Sequence, residues 1–105
     1  MNETTGGLKL ILSYDVKGDA VQAYYRFMLG RYVPIMAEMG LEMSDAWHTA
    51  YGDQPNRLVA FIARDARVLR LVMESPQWTK MNEELTRYVE AFSYKVVPYR
   101  EGFQF

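Results

Sequence analysis

Asp65-Ala66-Arg67-Val68-Leu69-Arg70-Leu71-Val72-Met73-Glu74-Ser75-Pro76-Gln77-Trp78 is a helical run that stops and restarts within one crossover. Asp65 is a capping residue, and Leu69, Val72 and Met73 follow it on one side of a short helix. Ser75 then caps a second helix, with Pro76 in the first position, which tolerates a missing N–H. Trp78, Met81, Leu85, Tyr88, Val89 and Phe92 continue an apolar stripe that carries this helix to Phe92. Lys80, Glu83, Glu84, Arg87 and Glu90 make its wet face, with Glu83 and Arg87 four apart in the favourable order.

The flanking sequence alternates instead. Leu8, Leu10, Leu12, Tyr14 and Val16 interleave with Lys9, Ile11, Ser13 and Asp15, the pattern of a strand. Lys17-Gly18-Asp19 turns the chain, and Asp19 is placed to cap the helix that follows. Val21, Tyr24, Tyr25, Met28, Tyr32, Ile35, Met36 and Met39 recur on that helix at three- and four-residue steps. Pro34 opposes the carbonyl of Gly30, so a kink is expected between them, and Gly40 is the stop. Leu41–Tyr51 reads as the second strand, Gly52–Asn56 as a hairpin loop and Arg57–Arg64 as the third strand. Ser93–Arg100 gives the last strand, followed by a tail bearing Phe103 and Phe105.

A β-α-β-β-α-β order in 105 residues is a single α+β domain, 1–105, of ferredoxin-like, split βαβ type. It predicts a four-stranded antiparallel sheet in the order 4-1-3-2, with both helical segments on one face. The strands are apolar on both faces, and half of all residues are hydrophobic. A domain this small buries only about two-thirds of its unfolded surface. A second copy is the simplest cover for the bare face, so a homodimer is expected, with Phe103 and Phe105 reaching the partner. Such an interface would bury on the order of 2,000 Å² in total.

Charge and residue types exclude several classes. Twelve basic and 13 acidic residues nearly cancel, leaving no field to gather nucleic acid or anionic lipid. With no cysteine there is no disulfide framework, thiolate zinc site or thiol nucleophile. No apolar stretch approaches the roughly 18 residues of a membrane span, and Met1–Gly7 has no signal-peptide pattern. The cytoplasm is the expected compartment. Phosphate loops, dinucleotide fingerprints, HExxH pairs and EF-hand loops are all missing.

A first helix running through Pro34 to Gly40, with a second crossover broken at Ser75-Pro76-Gln77-Trp78, resembles the dimeric α/β-barrel superfamily. Within it the chain is similar to the NIPSNAP-like and antibiotic-biosynthesis-monooxygenase-like branches, from about Leu8 to Arg100. The resemblance implies sheet-to-sheet pairing and a cavity between sheet and helices. It spans functions from cofactor-free monooxygenation to haem breakdown, isomerisation, cyclisation and ligand sensing, so the fold does not choose among them.

His48 is the only histidine, and histidine alone titrates near neutrality without help from its surroundings. If Trp47 faces Phe61, His48 shares a face with Ser44, Ala46 and Ala50 and opposes Ala60, small residues that leave room above them. There it is the candidate catalytic group, as base, hydrogen-bond donor or haem ligand. The plainer reading is an edge-strand histidine bonded to backbone or water. One histidine alone argues against a protein-built metal centre, and no cofactor is expected. Tyr14, Tyr25 and Trp78 are the candidate ligand-binding walls. A tyrosine stripe at helical spacing is ordinarily core, yet Tyr24, Tyr25 and Tyr32 bring three hydroxyls that need partners. The opposite face, with Met43, Asp45, Trp47, Thr49 and Tyr51 against Val59 and Phe61, reads as the dimer interface, Asp45 meeting an arginine of the other subunit. Arg64, Arg67 and Arg70 read as a solvated helix face.

Three readings of function stand. The first is a small enzyme acting on an apolar or aromatic molecule, a cofactor-free monooxygenase or an isomerase or cyclase. The second is a module that binds such a ligand without turnover, and the third is an interaction protein whose interior is filled by its own side chains.

Overall fold

Leu10, Leu12 and Tyr14 alternate with Lys9, Ile11 and Ser13 along β1 (Leu8–Val16), and this alternation decides which side of the sheet the helices cover. The computed structural model describes residues 7–48 and 56–99. In it Leu10, Leu12 and Tyr14 lie fully buried in one cluster with Tyr24, Phe27, Leu69 and Trp78 from the helices. Strand β1 pairs antiparallel with β3 (Arg57–Ala63) on one side and β4 (Val89–Pro98) on the other. Strand β2 (Glu42–His48) joins β3, giving the order β2-β3-β1-β4. This is the expected 4-1-3-2 arrangement, a ferredoxin-like α+β sheet with its helices on one face.

The first crossover carries α1 (Val21–Phe27), a π-helical turn (Met28–Tyr32) and α2 (Val33–Met39). Pro34 has no N–H, and its ring crowds the carbonyl of Gly30. The expected kink takes the form of the π turn, in which the Val33 N–H reaches the Met28 carbonyl. Gly40 ends α2 at φ 108° in the left-handed region, and Leu41 and Gly40 donate back to Met36 and Ala37. The start differs from expectation. Ala20, not Asp19, is the cap residue of α1 and makes no side-chain cap bond, because the turn back to Lys17 places Asp19 one position too early.

The broken crossover forms α3 (Ala66–Met73) and α4 (Pro76–Leu85). Asp65 accepts from the Val68 N–H at 2.9 Å and Ser75 from the Trp78 N–H at 3.2 Å, so both caps stand where the sequence puts them. Helix α4 ends at Leu85 rather than Phe92, and β4 begins at Val89 rather than Ser93. The end of β1 causes this: Asp15 and Val16 pair with Glu90 and Val89, and sheet pairing overrides the helical spacing. Arg87 therefore lies in a turn, and the helix ion pair is instead Arg31 with Glu84 at 2.8 Å.

Strand β2 also differs in register. Trp47 stands opposite Leu58, not Phe61, and His48 opposite Arg57, not Ala60. An irregularity between Met43 and Asp45 separates their faces. Met43 joins Phe61 on the helix side, whereas Asp45 and Trp47 join Ala60 and Leu58 on the helix-free side. Asp45 meets Lys9 of its own chain at 3.5 Å. Thr49–Pro55, with most of the expected hairpin loop, and Phe103 and Phe105 lie outside the described residues.

Candidate functional site

Arg57 opens β3 in phase with Val59, Phe61 and Ala63, so its side chain leaves the sheet on the helix-covered side. It stands between Tyr14 of β1 and His48 of β2 in the pairing. Asn56 fixes this position: it accepts from the Val16 N–H at 3.0 Å, and its own N–H donates to Asp15 Oδ1 at 2.8 Å. Only 8% of Arg57 is exposed. Its guanidinium lies 5.2 Å from the centre of the Tyr25 ring and 5.7 Å from that of Tyr24, within cation–π range of both. It donates to the Tyr25 hydroxyl.

Behind it, the Tyr24 and Tyr14 hydroxyls are 2.7 Å apart, and Tyr14 has no exposed surface. Burial pushes the Tyr14 phenol far above the ordinary tyrosine range, and Tyr24 pushes it further. Burial also raises Tyr24, but its bond with Tyr14 and the Arg57 charge draw it part of the way back. Either hydroxyl can donate in this pair, and the Arg57 charge beside Tyr24 acts on the two phenols unequally. Tyr32, the third tyrosine of the crossover, donates to Asn82 Oδ1 at 2.7 Å within the core.

Of the four residues expected from sequence, three share this end of the sheet. Tyr14 forms the floor, Tyr25 is 45% exposed, and His48 is an exposed rim residue of edge strand β2. Directly opposed residues of an antiparallel pair place their Cβ atoms about 4.5–5.5 Å apart, which sets His48 beside Arg57. Trp78 stands apart. It is buried against Tyr94, whose ring leads through Phe92 to Tyr14 at spacings of 5.6, 6.4 and 6.3 Å. Arg57 and Tyr24 are additions that the structure makes. Their signal in the sequence was an arginine in phase with three apolar residues of a strand, a position that buries a charge.

A separate groove of about 570 Å³ runs along the other end of β2, floored by Met39, Met43, Ile62 and Val68, with Glu38 and Arg64 also lining it. None of His48, Tyr14, Tyr25 and Trp78 lines it. Chemically, the Arg57 cluster offers a desolvated cation, a phenol at its mouth and an imidazole on its rim. These are the elements that hold an oxyanion and accept a proton.

The fold is that of the NIPSNAP and antibiotic-biosynthesis-monooxygenase-like structures. SnoaB, a cofactor-independent oxygenase from Streptomyces nogalater, superposes with a TM-score of 0.67 at 15% identity, over 92% of this chain and 96% of its own. A NIPSNAP family protein of unknown function from Agrobacterium tumefaciens gives 0.64 at 15% identity, over 92% and 91%. A Mycobacterium tuberculosis protein gives 0.67 at 16% identity, over 93% and 99%. No family model matches the chain, and no curated protein matches it in sequence. Among the described residues no helix is long and apolar enough to cross a membrane.

Proposed function

We propose that the end of the sheet around Arg57 binds a small aromatic molecule and that the protein oxygenates it with dioxygen, without a bound cofactor. The observation that carries this reading is the Tyr14–Tyr24–Arg57–Tyr25 cluster, a buried cation flanked by phenols beside His48. A carbon acid activated by aromatic rings, once deprotonated, passes an electron to dioxygen. Recombination gives a hydroperoxide, and loss of water leaves a carbonyl. The methylene carbon supplies all the electrons (CH₂ + O₂ → C=O + H₂O), so no external reductant enters. His48 takes the proton, Arg57 and Tyr25 hold the anion, Tyr14 is the floor, and Trp78 braces that floor from the core through Tyr94 and Phe92. The likeness in fold to a cofactor-independent oxygenase agrees with this chemistry. The exposure of His48 favours a second reading, binding of the same molecule without turnover.

The working unit is a homodimer joined through the helix-free face. Trp47 there is 40% exposed, and Leu58 and Ile62 on the same face are only half-buried within one chain, which leaves apolar surface for a second copy to cover.

Oxygen uptake and product mass, measured with a panel of anthrones, test the reaction. Substrate-dependent uptake with quinone formation is expected, and His48→Gln should lower the rate roughly a hundredfold or more without shifting the melting temperature. Binding without uptake selects the second reading. Neither binding nor uptake overturns both.

A further inference from the structure

Building on the proposed function, we infer that the ligand is an elongated aromatic anion, its charged end on Arg57 and its apolar body along the outer face of α1. Buried charges in proteins are paired, because leaving water without a counter-charge is costly. Arg57 is more than nine-tenths buried, yet among the described residues no carboxylate pairs with it. A guanidinium carries five N–H donors in a planar fork, and among the described residues Arg57 turns them on two phenol oxygens, directly on that of Tyr25 and also toward that of Tyr24, which leaves donors over. The remaining fork matches a carboxylate or the oxygens of an acidic phenol or enol.

Tyr25 connects this cation to the surface. Val21, Tyr25 and Leu29 stand at four-residue steps and are 40%, 45% and 65% exposed, an apolar stripe one turn to either side of the ring on Arg57. From Val21 to Tyr32 the chain has no acidic residue and carries Arg26 and Arg31. With Arg31 paired to Glu84, Arg26 is the cation at the border of the apolar stripe, which complements a molecule that is apolar with one negative end. A neutral hydrocarbon would bring Arg57 no counter-charge, and a small hydrophilic anion would leave the stripe wet.

Calorimetric titration with 2-naphthoate and its neutral counterpart 2-naphthamide tests this. The wild-type protein should bind the naphthoate roughly tenfold or more tightly than the amide, as a charge-assisted pair requires. Arg57→Gln should remove that preference by weakening the naphthoate alone, Arg57→Lys should keep part of it, and Leu29→Ser should weaken both probes. Equal binding of the two probes by wild-type protein, a comparison that needs no variant to fold, overturns the anion assignment and leaves an apolar site standing. If neither naphthalene binds and the anthrones also fail, the site itself falls. A Leu29→Ser protein that changes sedimentation but not naphthoate affinity would assign the stripe to a contact between copies and overturn its role here.

Discussion

The Tyr14 and Tyr24 hydroxyls, 2.7 Å apart, show how a single residue couples stability to pH. Tyr14, Tyr24 and Tyr32 are all held above the ordinary tyrosine value of 10.0, in each case first by burial. A raised acid keeps its proton in the folded chain after the unfolded chain has lost it. Their stabilising effect is thus complete below about pH 10 and is lost as pH rises past it, by up to about 1.4 kcal/mol per pH unit for each tyrosine. Melting temperatures between pH 8 and 11 should fall steeply from about pH 10. Tyr14→Phe should cost about 1 kcal/mol at neutral pH through the lost hydrogen bond, and should flatten the alkaline limb. An alkaline limb identical to that of the wild type would remove Tyr14 from this account.

At the scale of elements, two junctions hold the helical layer in place. Ser75 caps α4 through the Trp78 N–H and donates to the Val72 carbonyl at 2.6 Å, so one hydroxyl serves the end of α3 and the start of α4. Ser75→Ala should cost about 1 kcal/mol in chemical denaturation. Trp78→Ala, which empties a buried indole site, should cost about 3 kcal/mol or more. Gly40 is the tighter junction. At φ 108°, a Cβ built there would come within 2.8 Å of Val68 Cγ1, so a side chain meets both backbone strain and a clash. Gly40→Ala should lower stability by roughly 1–3 kcal/mol, and an unchanged melt would contradict the left-handed turn.

For the whole molecule, assembly turns on the helix-free face. Lys9 is 3% exposed there, beside Asp45 at 3.5 Å and under the Tyr99 ring at 5.8 Å. Among the described residues the strongly buried charge of that face thus has partners within the chain, and the half-buried Leu58 and Ile62 with the exposed Trp47 are left to meet apolar surface. Sedimentation at low micromolar concentration should report a dimer. Leu58→Arg, which sets a charge in the middle of the face, should shift it to monomer with its circular dichroism intact. A wild-type chain that sediments as monomer would rule out the sheet-to-sheet dimer.

The element order, the helix break at Ser75-Pro76, the Gly40 stop and the strand order were legible in the sequence, because capping, proline geometry and alternation act over a few residues. Three features were decided only in three dimensions. The last strand starts at Val89 because Asp15 and Val16 of a distant strand pair with it, and that pairing outweighs a local helical pattern. His48 faces Arg57 because the register of β2 follows from a bulge and from the phase of β3, neither of which residue spacing specifies. The candidate site brings β1, α1, β2 and β3 together at Tyr14, Tyr24, Tyr25, His48 and Arg57. Its chemistry rests on burial and mutual distance, which exist only once the sheet has paired and the helices have covered one side of it.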